Sequence, residues 1–216
     1  GRSEEKAKAI IDEIKVNGGE AVYVLYDFAD LDISKNIHII VDKAVDTYGT
    51  VDILVNFAAF HSKSTVENML IEEWDEAFRV NVTSQMLLSK FAAPIMKKNG
   101  KGIIVNVSSI AGAHAKYGKA GYCSSKHAVL GLTKAQAREF SPYIRCNCIM
   151  PGAYKTPMLI GPGGAGEAAA EPIRLDSAEK RLGEAIDAAN VALFLSLDES
   201  SYISGQCIRV DGGLDL

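Results

Sequence analysis

Gly102-Ile103-Ile104-Val105-Asn106-Val107-Ser108-Ser109, followed thirteen residues after Ser109 by Tyr122-Cys123-Ser124-Ser125-Lys126, is the stretch on which the fold turns. The first run is short, apolar and β-rich and ends in hydroxyls, as expected of a buried parallel strand that delivers a polar group at its carboxyl end. The second reads as the start of a helix, where tyrosine and lysine at i and i+4 share one face. A free tyrosine, with a pKa near 10, is a poor acid or base at neutral pH. A neighbouring ammonium favours the phenolate and brings it into working range. Tyr122 is therefore a candidate for proton transfer, although the same spacing also arises on ordinary amphipathic helix faces.

Outward from this stretch the chain alternates between helical and strand patterns. Ser3 to Val16 has helical spacing, with Ala7, Ile10, Ile11 and Ile14 on one side, and Asn17-Gly18-Gly19 supplies residues that stop a helix. Ala21 to Tyr26 reads as a strand, Ile33 to Tyr48 as a second helix closed by Gly49, and Val51 to Val55 as a short apolar strand. A long helix is predicted from Ile71 to Lys98 with Asn81 at its middle, where asparagine is a mediocre helix former, so that placement suggests a job beyond propensity. Beyond Ser109 come a small-residue loop from Ile110 to Gly121, a helix from Tyr122 to Phe140 and a strand from Ile144 to Met150, whose Cys146 and Cys148 share one face. A helix around Ala185 to Leu197 and a last strand around Cys207 to Val210 close the chain. This rhythm predicts a parallel sheet flanked by helices.

The order and spacing of Ser109, Tyr122 and Lys126 resemble those of the short-chain dehydrogenase/reductase family, in particular its 3-oxoacyl reductases. The resemblance extends to Asn81 in Phe78-Arg79-Val80-Asn81-Val82, to Asp52-Ile53-Leu54-Val55-Asn56-Phe57-Ala58-Ala59, to Pro151-Gly152 with Thr156-Pro157-Met158, and to the ending Ser204 to Gly213. It implies a Rossmann-like, doubly wound parallel sheet and an NAD(P)(H)-dependent oxidoreductase that interconverts an alcohol and a ketone. Tyr122 would exchange the proton, Ser109 would hold the substrate oxygen, Lys126 would bind the nicotinamide ribose and lower the tyrosine pKa, and Asn81 would complete a proton relay. The family pattern also places Arg2, Asp27, Asn56, Ala58, Pro151, Gly152 and Thr156, with Tyr122 and Lys126, along the cofactor. Asn56-Phe57-Ala58-Ala59 departs from the family's usual Asn-Asn-Ala-Gly, and both changes crowd the cofactor side. Gly1 and Arg2 fall where the family's second strand ends; a guanidinium there, with no carboxylate, favours NADP(H) over NAD(H).

Relative to that family the glycine-rich strand-turn-helix is missing, so the sheet is expected to be incomplete at the N-terminus, lacking the first strand, the first helix and the second strand. In the order 3-2-1-4-5-6 this leaves a gap of roughly 14 Å between Ala21–Tyr26 and Val51–Val55, and the chain reads as a fragment or the visible part of a longer one. Gly161-Pro162-Gly163-Gly164-Ala165-Gly166 spells Gly-x-Gly-x-x-Gly, but a phosphate loop must run directly from a strand into a helix, and here prolines intervene. The stretch from Leu159 to Arg181 reads instead as a mobile substrate lid.

Composition narrows the rest. With 216 residues, 48% hydrophobic and 23% charged, the chain fits one domain spanning residues 1–216. A net charge of −4 gives no basic footprint for nucleic acid. No apolar run reaches the ~18 residues that span a bilayer, and the N-terminus lacks a signal peptide's apolar core, so a cytoplasmic location is expected. Cys123, Cys146, Cys148 and Cys207 form no Cys-x-x-Cys pair, and His38, His61, His114 and His127 form no ligand pattern, so no metal is expected. The two long helices around Asn81 and Tyr122 resemble those that pair subunits in this family, which implies a homo-oligomer, dimer or tetramer. A non-catalytic homologue and a dehydratase or epimerase of the same family remain open at this point.

Overall fold

The computed structural model describes all residues except Pro162, Gly163 and Ala165. Among the described residues, four strands form one parallel sheet in the order β1-β2-β3-β4: β1 Ile53–Asn56, β2 Gly102–Val107, β3 Ile144–Pro151 and β4 Cys207–Val210. The register sets Ile53 beside Ile103, Ile104 beside Cys146 and Cys148 beside Cys207. The helices are α1 Glu4–Val16, α2 Ile33–Asn36, α3 His38–Tyr48, α4 Ile71–Phe78, α5 Ser84–Lys98, α6 Ala120–Glu139, α7 Glu167–Asp176 and α8 Ala185–Leu195.

Helices cover both faces of the sheet, as the α/β reading requires. On one face Leu87, Leu88, Ala92 and Met96 of α5 bury Ile104 and Cys146, and Val129 of α6 packs on Cys148 and Met150. On the other, Ala188, Ala192 and Leu195 of α8 close over Val105, Val107 and Ile149. The alternation along β2 and β3 is the two-residue period of a strand buried on both sides. Cys146 and Cys148 are buried together on the α5–α6 side as free thiols. Beside Cys148 in the sheet a buried amide relay runs from β1 through β2 to α6, in which Asn56 donates to Asn106 at 2.9 Å and Asn106 donates to Thr133 and Gln136 at 3.0 and 2.8 Å.

Three predicted elements differ. Ala21–Tyr26 is not a strand: it joins no sheet, and its backbone bonds to the chain start, Tyr26 N–H donating to the Gly1 carbonyl at 2.9 Å and the N-terminal ammonium to the Val24 carbonyl at 3.1 Å, while the Tyr26 side chain is buried in the core beside Ile33 and Ile37. Its hydrogen-bonding groups have no partner strand within reach, and the outer edge of β1 is bare, with Ile53 and Val55 46% and 38% exposed. The helix expected over Ile33–Tyr48 breaks at Ile37 into α2 and α3. The helix expected over Ile71–Lys98 runs its full course but carries a π turn at Arg79–Thr83, centred on Asn81. Such widened turns free backbone groups and recur at functional sites.

The stretch read as a small polar lid contains α7, started by Gly166 at φ 85°. Part of the Gly-x-Gly-x-x-Gly segment before it lies outside the described residues. No described helix is long and apolar enough to cross a membrane.

Candidate active site

The carboxyl ends of all four strands feed one cavity of about 1160 Å³. Ser109 sits two residues past β2, Pro151 ends β3 with Gly152 after it, Phe57, Ala59 and His61 follow β1, and Leu214 follows β4; all line it. Crevices at this end of an open parallel sheet are where such folds bind ligands. Tyr122 and Lys126 reach the same cavity from the first turns of α6, side by side as their spacing predicts, 8% and 1% exposed.

Ser109 is held by its own turn. Its hydroxyl accepts from Ala111 N–H at 3.2 Å and lies 3.5 Å from the Pro151 carbonyl. Lys126 donates to the Val107 carbonyl at 2.9 Å, and its Nζ is 5.8 Å from the centre of the Tyr122 ring. The protonation states differ from those the Tyr-Lys spacing suggests. Burial raises the Tyr122 pKa, and the downward pull comes from hydrogen bonding with Ser109. Burial also lowers Lys126 to about 8, partly offset by the nearby Cys148. Desolvation penalises both charged forms, so Tyr122 keeps its phenolic proton at neutral pH.

The Asn81 side chain is bonded within the protein. Its Oδ1 accepts from Phe60 N–H at 2.8 Å, and its Nδ2 donates to the Phe60 carbonyl and to Ser125 Oγ, both at 2.9 Å. The side chain thus ties the loop after β1 to α6, and its link to the Tyr122–Lys126 helix runs through Ser125. Freed by the π turn, the Asn81 carbonyl accepts from Gln85 Nε2 at 2.8 Å.

The remaining residues divide. Thr156, Pro151 and Gly152 line the cavity. A Cβ on Gly152 would stand 2.8 Å from the Asp211 Cα, so glycine is needed there for packing against the chain after β4. Asn56 is buried and does not line the cavity; its Nδ2 donates to Asn106. Ala58 is half-buried beside it and does not line the cavity. Arg2 and Asp27 come together away from the cavity wall, with Arg2 Nη1 3.9 Å from Asp27 Oδ2, both well exposed. Phe57 and Ala59, the two departures from the family pattern, both line the cavity. Among the described residues no three His, Cys, Asp or Glu side chains converge as a metal site would require.

Matching this geometry, the family model described as enoyl-(acyl carrier protein) reductase covers residues 2–215. The chain belongs to the short-chain dehydrogenase/reductase family. Among its relatives are an uncharacterised oxidoreductase from Thermotoga maritima, 38% identical over 98% of this chain and 84% of the relative. A 3-oxoacyl-[acyl-carrier-protein] reductase of the same organism is 36% identical, with the same shares covered. A 2,5-dichloro-2,5-cyclohexadiene-1,4-diol dehydrogenase from Sphingobium indicum is also 36% identical, over 98% of this chain and 82% of the relative. The solved structure of a candidate short-chain alcohol dehydrogenase from Sinorhizobium meliloti superposes with a TM-score of 0.89 at 29% identity, over 99% of this chain and 84% of that one.

Two residues escaped the sequence reading. Glu73, on α4, gathers the loop after His61: its Oε1 accepts from Ser62 Oγ, Lys63 N–H and Ser64 N–H at 2.9, 2.8 and 3.1 Å, and its Oε2 accepts from Ser64 Oγ at 2.5 Å. These bonds hold its carboxyl down at about 2, with Ser64 the largest contributor. No local motif marks a carboxylate that serves a loop nine to eleven residues upstream. Glu73→Gln is expected to lower the melting temperature at pH 7. Because the folded pKa is depressed, the carboxylate's contribution is full above about 4.5 and disappears as pH falls towards about 2. The gap between wild type and variant therefore closes over that window in thermal melts, and a gap independent of pH would contradict the assignment. His61 is the other residue: it has no ligand-like spacing, and only the fold brings it to Tyr122.

Proposed function

We propose that this chain is an NAD(P)(H)-dependent oxidoreductase interconverting an alcohol and a ketone, acting with Tyr122, Lys126, Ser109 and Asn81. The observation that carries this reading is the convergence of Ser109, Tyr122 and Lys126 on one cavity at the carboxyl end of the sheet. Two relatives support it by their names, one a ketoacyl reductase and one a diol dehydrogenase.

The residues fit a nicotinamide nucleotide. Lys126 is fully buried, yet its only hydrogen bond among the described residues goes to Val107, so two ammonium protons remain for ribose hydroxyls. A bound nicotinamide supplies the hydride, or accepts it, at the substrate carbon. Tyr122, protonated by virtue of its burial, gives its phenolic proton to the carbonyl oxygen in reduction and recovers it in oxidation. Ser109 Oγ, fixed by its turn, hydrogen-bonds that oxygen and stabilises the charge that develops there. The Lys126 ammonium opposes the burial of a phenolate while the proton is away. Asn81 and Ser125 hold the loop after β1 against α6, and so keep the Tyr122 wall of the cavity in place.

NADP(H) in preference to NAD(H) is part of this reading, because the Arg2 guanidinium is exposed and held only loosely at 3.9 Å from Asp27. The test is ketone reduction followed by NADPH and NADH absorbance in the full-length protein. NADPH is expected to have the higher kcat/KM, and Arg2→Ala to cut the NADPH/NADH ratio by about tenfold, the worth of one charge-assisted contact. A preference for NADH, or an unchanged ratio, would remove Arg2 from the selector role. A homo-oligomer, dimer or tetramer, belongs to the same proposal; a groove between α5 and α6, lined by Met86, Pro94 and Leu132, is the face that would be shared.

A further inference from the structure

His61 occupies a position that the proton relay leaves unexplained. Its ring meets the Tyr122 ring edge to face, with centroids 4.6 Å apart, and it lines the cavity with Ser109 and Lys126. Among the described residues neither imidazole nitrogen has a hydrogen-bond partner, although the ring is half-buried. Two other polar groups on this wall are engaged within the protein: the Ser108 hydroxyl donates to the Lys126 carbonyl at 2.6 Å, and Lys116 pairs with Asp176 at 2.7 Å.

The backbone on both sides of His61 is fixed. Asn81 binds both the N–H and the carbonyl of Phe60, immediately before it. Glu73 binds Ser62, Lys63 and Ser64, immediately after it. The loop also lies tight on α6, since a Cβ on Gly121 would come within 2.7 Å of Ser62 Oγ. One loop residue between two clamps, aimed at the phenol, is a preorganised contact and not a surface side chain that happens to fold inward. Half-burial and the nearby Lys63 keep the imidazole below its ordinary pKa, hence neutral at pH 7, with one N–H to donate and one lone pair to accept. That pairing suits a hydroxyl or a carbonyl and gives no ion pair to a carboxylate.

We propose that His61 is a specificity-determining residue that hydrogen-bonds a second, uncharged oxygen of the substrate, carried on a carbon close to the reacting one. The enzyme then favours vicinal diols, hydroxyketones and similar compounds over simple alcohols and ketones. The rest of the wall is largely apolar, with Phe57, Ile110, Leu159, Ile173 and Leu175 among its residues, so the substrate's remainder is a hydrocarbon or ring skeleton. This inference rests on the oxidoreductase reading above, and its test separates the two.

Oxidation of cis-cyclohexane-1,2-diol and of cyclohexanol is measured with cofactor in the full-length wild type, in His61→Phe and in His61→Gln. The diol is expected to have a kcat/KM about tenfold or more above cyclohexanol in the wild type, because a site built to bind a hydroxyl rejects an analogue lacking it. His61→Phe should erase that preference while changing cyclohexanol oxidation less than about threefold, and His61→Gln, which keeps a donor and an acceptor, should restore part of it. A ratio that is the same in all three proteins overturns the proposal and leaves the oxidoreductase reading intact. A second readout needs no turnover: imidazole nitrogen resonances, assigned to His61 by their loss in the variants, should move with the diol and stay put with cyclohexanol. If neither alcohol is oxidised but the diol alone moves the His61 signal, the specificity proposal stands and the reaction assignment falls. A diol that neither reacts nor moves that signal overturns the proposal.

Discussion

Tyr122→Phe is expected to cut kcat for ketone reduction on the order of 10³-fold, the usual contribution of a positioned proton donor, while nicotinamide nucleotide still binds. The substitution removes one oxygen and keeps the ring, so the edge-to-face contact with His61 and the packing of the first turn of α6 survive. Nucleotide binding, read by fluorescence quenching, should therefore change little. The pH profiles of the parent carry a matching sign. Burial raises the tyrosine pKa, so the phenol is protonated through neutral pH and reduction proceeds there, whereas oxidation needs the phenolate and accelerates as pH rises. Turnover in the variant near that of the parent would end the assignment of Tyr122.

The parts of this site that could be read in the sequence are those whose neighbours lie close in the chain. Tyr122 and Lys126 meet because i and i+4 meet on any helix, and Ser109 joins them because a buried strand delivers its last side chain at a fixed end. The π turn at Asn81 leaves only a trace in sequence, a polar residue of low helix propensity in mid-helix. The partners of its side chain, Phe60 and Ser125, are 21 and 44 residues away. Glu73 and His61 were illegible for the same reason: their roles arise from a loop folded back on α4 and α6. The electrostatics are not legible in the spacing, which reports proximity and says nothing about desolvation: burial is the largest influence on both members of the pair, raising Tyr122 and lowering Lys126. The strand expected at Ala21–Tyr26 has a strand's composition, but composition supplies no neighbour to pair with.

Lys126→Met is expected to raise stability and abolish turnover together. The ammonium is fully buried, and its pKa falls from 10.5 to about 8. A base whose folded pKa lies below its unfolded value costs stability wherever it must stay charged. That cost is fully present below about pH 8 and is relieved as pH rises from there towards 10.5. At about 1.4 kcal/mol per pH unit it amounts to roughly 3 kcal/mol at pH 7. Methionine fills nearly the same space without charge. It gives up the hydrogen bond to Val107, worth about 1 kcal/mol, but that carbonyl keeps Gln85 Nε2 at 3.3 Å and is not orphaned. The net gain is about 2 kcal/mol, and the melting temperature at pH 7 should rise by roughly 4–8 °C for a chain of this size. The advantage should shrink in melts above pH 8, as the wild-type lysine loses its proton. Activity moves the other way, falling by at least about 10²-fold, because the group that holds ribose and opposes burial of the phenolate is gone. A variant less stable than the parent at pH 7 would mean that the Lys126 charge is matched by its surroundings after all; a variant that is more stable and still active would remove Lys126 from the mechanism.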